Sequence, residues 1–178
     1  MVSASPTKVA HEPVLRSGEP QPIPCSCRYC RTMTVNDSRE VVIEAEPEEI
    51  LAVIADVESA HTWSPQYQSA EVLEAYDDGR PKRVRMKVKA AGLTDVQEVE
   101  YTWSANTAGW TLISAGQLRS QQAAYTLTPQ GDKTKVRFEL TVDPSVPLPG
   151  FLLKRTLKGA METATDGLRK QVLKIKKG

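Results

Sequence analysis

The sequence predicts an α+β fold in which a curved antiparallel sheet is covered on one face by a long C-terminal helix. Three observations carry this expectation. Successive segments from about Ser69 to Pro144 alternate apolar and polar residues with a period of two and are joined by short turns, the pattern of an antiparallel meander. A one-sided helical pattern follows the first strand at Pro47, and a longer one runs from Phe151 to roughly Lys174. Strands grouped together and helices set apart make a layered α+β arrangement.

The bulk composition limits the function classes. With 178 residues, 40% of them hydrophobic and 25% charged, the chain is long enough for one domain with a real core and short for two. The formal net charge of +1 gives no global attraction to phosphate, so no nucleic-acid partner is expected. No apolar run approaches the roughly 20 residues of a membrane span, and the N-terminus lacks the apolar centre of a signal peptide, so the expectation is a cytoplasmic protein.

Residues 1–37 read as a leader. Pro6, Pro13, Pro20, Pro22 and Pro24 fall in a stretch without apolar periodicity, a composition that buries too little surface to fold. All the cysteines, Cys25, Cys27 and Cys30, lie here as C-x-C-x-x-C. A structural zinc site needs four ligands, and no fourth stands nearby, so no metal is assigned. Two readings stay open: an extension upstream of a true start at Met33, or a disordered tail with reactive thiols. The folded domain is assigned to residues 38–178.

Within that domain each element has a local cause. A strand begins at about Ser38, where Val41 and Ile43 alternate with Glu40 and Val42. Pro47, Glu48 and Glu49 suit a first helical turn, because proline fits there and carboxylates favour the helix N-terminus. Ile50, Val53, Ile54 and Val57 follow on one face, and a short helix or turn carrying Trp63 ends at Ser64-Pro65. Asp77-Asp78-Gly79-Arg80 is a hairpin turn, since glycine supplies a positive φ and aspartate bonds its own backbone. Val84, Met86 and Val88 then oppose Arg83, Arg85 and Lys87, and Val99, Tyr101 and Trp103 oppose Glu98, Glu100 and Thr102. The last strand places Val136, Phe138, Leu140 and Val142 on one face, and the prolines at 144, 147 and 149 precede the helix. Leu153, Leu157, Ala160, Met161, Ala164, Leu168 and Val172 form its apolar stripe.

The pieces EAEPEEILAVIADVESAHTWSP, YDDGRPKRVRMKV, WTLISAGQLRSQQAAYTL and VDPSVPLPGFLLKR resemble the polyketide cyclase/dehydrase-like branch of the START-related superfamily, also called SRPBCC or Bet v 1-like, and within it small mycobacterial and other actinobacterial proteins. The resemblance covers about Ser38 to Lys177. It implies a helix-grip fold, with the sheet wrapped around the final helix and an apolar cavity between them. It also implies a lipid, quinone or polyketide-like ligand. The cavity entrance would lie among loops beside the final helix, for which Trp63-Ser64-Pro65 and Pro144 to Gly150 are the candidates. The sequence has no glycine-rich phosphate loop and only His11 and His61, so no cofactor is expected.

Given the cavity that the resemblance implies, its wall would be Trp63, Met86, Val88, Tyr101, Trp103, Trp110, Leu112, Tyr125, Leu127, Leu153, Leu157 and Met161, residues that by pattern alone could equally pack against one another. Small residues on the helix, Gly159, Ala160 and Ala164, leave volume that a filled core would use. Binding of a hydrophobic small molecule is the first functional reading. A polyketide aromatase/cyclase is the alternative, with Tyr101 and Tyr125 as candidate catalytic groups and Ser114 or Gln122 as anchors. A protein or membrane-surface module is the third, because Lys154, Arg155, Lys158, Arg169, Lys170, Lys174, Lys176 and Lys177 cluster on the last helix and would attract anionic headgroups in a transient contact.

Overall fold

The computed structural model describes residues 34–178, so the proline-rich leader and its cysteines lie outside the described residues. Seven strands form one sheet: β1 (Val35–Ile43), β2 (Tyr67–Ala75), β3 (Pro81–Ala90), β4 (Leu93–Trp103), β5 (Thr107–Ser114), β6 (Leu118–Gln130) and β7 (Lys133–Pro144). Every pairing is antiparallel and the order is β1-β7-β6-β5-β4-β3-β2. The meander from β2 to β7 needs only short turns. β1 and β2 stand at opposite edges, and the chain passes between them through α1 (Pro47–Ala55) and a 3-10 turn, Glu58–Thr62. α2 (Gly150–Glu162) and α3 (Leu168–Lys177) close the chain. This is the helix-grip arrangement. Among the described residues, no helix is long and apolar enough to cross a membrane.

Two elements depart from the sequence reading. β1 begins at Val35 rather than near Ser38, because Asn36, Asp37 and Ser38 pair with β7 opposite Thr141, Leu140 and Glu139. Ladder hydrogen bonds hold them in the strand although no apolar alternation marks them. The long helix runs on to Lys177, and a π-helical turn, Thr163–Gly167, interrupts it. Thr163 Oγ1 donates to Gly159 O at 2.9 Å and Thr165 Oγ1 to Met161 O at 2.8 Å, back-bonds of the kind that bend helices.

One half of the space under the sheet is filled. Ile43, Val136 and Leu127 from the strands are buried in one cluster with Ile50 and Leu51 of α1 and Leu168 and Val172 of α3. The helices are also fastened by charge. Arg169 of α3 donates to both oxygens of Glu44, at 2.8 and 2.9 Å through one guanidinium nitrogen, and these bonds hold the Glu44 carboxyl below its ordinary range. A depressed carboxylate pKa contributes stability above its ordinary value, and that contribution disappears as pH falls through the folded value. Lys176 reaches Glu49 at 3.1 Å, and the same Glu49 carboxylate accepts from the Glu46 N–H at the start of α1.

A buried hydrogen bond pins the β1–α1 corner. Thr134 Oγ1 donates to Ala45 O at 2.7 Å, and Thr134 is fully buried. Thr134→Val keeps the shape and strands the carbonyl. The variant is expected to lose about 1–3 kcal/mol of stability in urea denaturation. A loss below about 0.5 kcal/mol would show that Ala45 is satisfied elsewhere.

Candidate ligand cavity

The other half of the space is open. Between β2–β7 and α2 lies a cavity of about 530 Å³, within the range of small-molecule sites. Strand parity builds its wall. Ala70 on β2, Met86 and Val88 on β3, Tyr101 on β4 and Trp110 on β5 point inward from successive strands. Tyr125 and Phe138 continue the row onto β6 and β7, and Leu153 and Leu157 of α2 face them.

Neighbouring rings form a continuous aromatic band. Tyr101 and Trp110 lie 5.3 Å apart, Trp110 and Tyr125 6.0 Å, and Tyr125 and Phe138 4.5 Å, spacings at which aromatic pairs attract. A wall of rigid side chains holds its shape when nothing is bound.

Of the sequence-assigned residues, Trp63, Met86, Val88, Tyr101, Trp110, Tyr125, Leu153 and Leu157 line this cavity. Trp103, Leu112, Leu127 and Met161 do not, and each has a physical reason. Trp103 stacks on Tyr101 at 5.6 Å and donates its indole N–H to Pro81 O, so Tyr101 stands between it and the opening. Leu112 sits opposite Val99, beside the register shift where β4 and β5 lose step, and packs on the core. Leu127, opposite Val136, belongs to the filled half. Met161 is 2% exposed and continues the stripe of Leu153 and Leu157, but one turn further along it lies beyond the opening and is buried in the core.

The anchors also shift. Ser114 and Gln122 are exposed, whereas Gln121 lines the cavity, sharing the inward parity of Ala123 and Tyr125. Both candidate entrance segments reach the wall, through Trp63 and Ser64 and through Pro144, Val146 and Leu148.

Several polar wall residues fall outside the sequence-assigned set, and three of them matter most for the chemistry of the wall. Tyr67 lines the cavity from the first residue of β2, and Asp95 and Gln97 do so from β4. The sequence carries a signal for the last two: the inward parity of Val99 and Tyr101, continued upstream, falls on Gln97 and Asp95. Asp95 works as a brace. Its carboxylate accepts from the Gly116 N–H at 2.9 Å and the Gln117 N–H at 3.1 Å, with Gln97 Nε2 donating at 3.4 Å. A side chain at Gly116 would meet Asp95 Oδ1 at 3.0 Å, so glycine permits the brace. The β5–β6 loop is thereby fixed over the cavity.

The phenols are chemically restricted. Burial pushes Tyr67 up to about 12 and Tyr101 and Tyr125 well above the ordinary tyrosine value. All three stay protonated near neutrality, so they donate hydrogen bonds and do not serve as bases. Tyr125 already gives its proton to Ala164 O at 3.1 Å, in the π-helical turn. Among the described residues, no group of three or more His, Cys, Asp or Glu side chains is placed to hold a metal ion.

A phenol whose folded pKa is raised contributes stability that is intact below the unfolded value and is lost as pH rises through the folded one. Stability is therefore expected to fall between about pH 10 and 12, and Tyr101→Phe to reduce that fall. Ultraviolet difference titration alongside denaturation checks it. A Tyr101 ionising near pH 10 in the folded protein would contradict the buried placement.

The family described as polyketide cyclase / dehydrase and lipid transport matches residues 34–173. Among solved structures, a START superfamily protein from Mycobacterium smegmatis is 25% identical, with a TM-score of 0.71 over 79% of this chain and 98% of that one. A protein of Thermus thermophilus is 24% identical, with a TM-score of 0.66 over 79% of this chain and 99% of its own. The Zhui aromatase/cyclase from Streptomyces sp. R1128 shares the fold at 12% identity, with a TM-score of 0.67 over 78% of this chain and 93% of that one. No curated protein matches the chain.

Proposed function

Since this chain belongs to the polyketide cyclase / dehydrase and lipid transport family, we propose that it binds a hydrophobic small molecule, a lipid, quinone or polyketide-like compound, between the sheet and α2. One observation carries the reading: about 530 Å³ stays open under a sheet whose other half is closely packed. Burying apolar ligand surface contributes roughly 25 cal/mol per Å², enough for micromolar affinity in a preformed cavity even after the cost of association. Binding needs no chemistry from the wall. The proposal includes a cytoplasmic location and no cofactor.

A second reading is cyclisation of a polyketide-like chain. The family description and the neutral phenols of Tyr67 and Tyr101 favour it, because a protonated phenol can polarise a ketone by hydrogen bonding. The phenols are no bases near neutrality, and the wall carboxylate, Asp95, is already engaged by the Gly116 and Gln117 N–H groups, which ranks this reading second.

A pair of substitutions on neighbouring positions tests the binding reading. Gly159 lines the cavity, and a Cβ added there meets nothing within 4 Å. Gly159→Phe is expected to weaken uptake of a fluorescent fatty acid by about tenfold or more while leaving the melting temperature unchanged or higher, since glycine disfavours a helix interior by about 1 kcal/mol. Met161→Trp, aimed into the core, is expected to destabilise by about 1–3 kcal/mol. A wild type that takes up neither fatty acid nor anilinonaphthalene dye would overturn the binding reading.

A further inference from the structure

The cavity opens where three segments meet. The β3–β4 turn and its flanks bring Lys89 to Leu93 to its wall, the β5–β6 loop and the start of β6 bring Gln117 and Leu118, and the β7–α2 connection and first turns of α2 bring Val146, Leu148, Leu152 and Arg155. Lys89, Leu93 and Arg155 line the cavity and are also exposed, so solvent reaches it between these segments.

The rim has a one-sided charge. Residues 87–94, 114–120 and 145–158 carry Lys87, Lys89, Arg119, Lys154, Arg155 and Lys158 and no Asp or Glu. The acidic residues that border them, Asp95 and Asp143, are buried, Asp95 accepting from the Gly116 and Gln117 N–H groups. The whole chain is close to neutral, at a formal +1, so the asymmetry is local. Among the described residues Lys87, Lys89, Lys154 and Arg155 make no ion pair, and neither do Lys133, Lys170, Lys174 and Lys177 elsewhere, whereas Arg39, Arg83, Arg85, Arg137, Arg169 and Lys176 are each paired. Arg119 and Lys158 have only distant partners, at 3.8 and 3.9 Å. α2 has no acidic residue in its first turn, so the positive end of its dipole adds to the same field.

Large apolar side chains stand out of this rim. Phe151, at the start of α2, is 76% exposed, and Leu93, at the start of β4, is 41% exposed. Phe151 does not line the cavity; it points away from the fold. Single protruding apolar side chains inside a basic collar fit the headgroup boundary of an anionic bilayer, where the side chains enter the acyl region and the cations meet lipid phosphates.

We propose that the cavity rim is a docking surface for anionic phospholipid membranes, with Phe151 and Leu93 inserting and Lys87, Lys89, Lys154 and Arg155 contacting headgroups. The contact is placed at the rim because Phe151 and Leu93 protrude there beside the opening. On α3 Arg169 and Lys176 are committed to Glu44 and Glu49, while Lys170, Lys174 and Lys177 form no ion pair among the described residues. The function rests on the binding reading: a ligand of low water solubility would enter directly from the bilayer. The physical contact does not depend on it.

The test is sedimentation of the full chain with vesicles of phosphatidylcholine alone or mixed in equal parts with phosphatidylglycerol, at low and high salt. Binding to the anionic vesicles only, lost at high salt, is expected. Lys87→Glu with Lys154→Glu should weaken it by about tenfold or more, and Phe151→Ser should weaken it with the charges intact. Because these three side chains lie off the cavity wall, uptake of the fluorescent fatty acid in solution should stay within about twofold in all variants. Absence of vesicle binding, equal binding to neutral vesicles, or binding indifferent to these substitutions overturns the proposal. Retention on immobilised polyglutamate without vesicle binding also overturns it and assigns the rim to an acidic protein. Vesicle binding without any probe uptake supports the docking surface and counts against the ligand reading alone.

Discussion

The cavity depends on where the C-terminal helix is held. Arg39 of β1 donates to Asp166 at 2.7 Å, and Arg169 forks onto Glu44 just past β1, so the π-helical turn and α3 are both tied to the β1 edge. Leu168 and Val172 reinforce this by packing into the filled half beside α1. Exposed ion pairs contribute little stability singly, and here their effect is one of placement. With its C-terminal part fixed at the β1 edge, the helix does not close down on the whole sheet. The space left between α2 and β2–β7 is the cavity.

The interruption in the helix follows from the same arrangement. Gly167 lies in the π-helical turn, where an added Cβ would stand 3.2 Å from Trp63 O, so the chain after α1 passes directly over the helix. Tyr125 reaches across from β6 to bond the Ala164 carbonyl in that turn. Trp63 and Tyr125 line the wall near this crossing, and the exposed lining residues Lys89, Leu93 and Arg155 stand between the β3–β4 turn and α2. The β3–β4 turn itself is tight, with Ala91 at φ 53° and Gly92 at φ 81°. Positive φ is costly for alanine, about 1–2 kcal/mol, and a local conformation of that cost beside the opening is retained by the strand pairing on either side.

The order and type of the elements are legible in the sequence because nearly every strand has one face in the core and one in solvent. Val84, Met86 and Val88 against Arg83, Arg85 and Lys87 admit no other period. The start of β1 is not legible, because an edge strand held by its ladder alone leaves no mark at Asn36, Asp37 and Ser38. The π-helical turn is hidden for a related reason: Thr163 and Thr165 keep the apolar stripe in step while altering the backbone bonding beneath it. Cavity residues are harder to separate from core residues, since both are apolar and inward. Leu127 and Tyr125 share a strand and a face, yet one meets α1's packed half and the other the opening, and only tertiary placement of the helix distinguishes them. Gln97 and Asp95 are recoverable from parity, but polar residues on an inward face stand out less than the aromatic pattern around them.

The size of the cavity sets a limit on how it can exist. An apolar void costs on the order of 24 cal/mol per Å³, so a dry, empty space of about 530 Å³ would cost on the order of 10 kcal/mol, comparable to the whole stability of an ordinary domain. A domain of this size therefore keeps the cavity occupied, by water or by a ligand. Tyr67, Tyr101, Gln97 and Gln121 supply polar partners along the wall, which makes water a workable occupant. The same groups leave most of the wall apolar, so water there is poorly bonded compared with bulk and is readily displaced by a hydrophobic molecule with a few polar atoms. A cavity stable when wet but better filled by an apolar ligand favours exchange over permanent occupancy. Exchange in turn gives the basic, apolar-tipped rim a physical role, because a poorly soluble ligand leaves and enters most easily where the cavity meets a lipid surface.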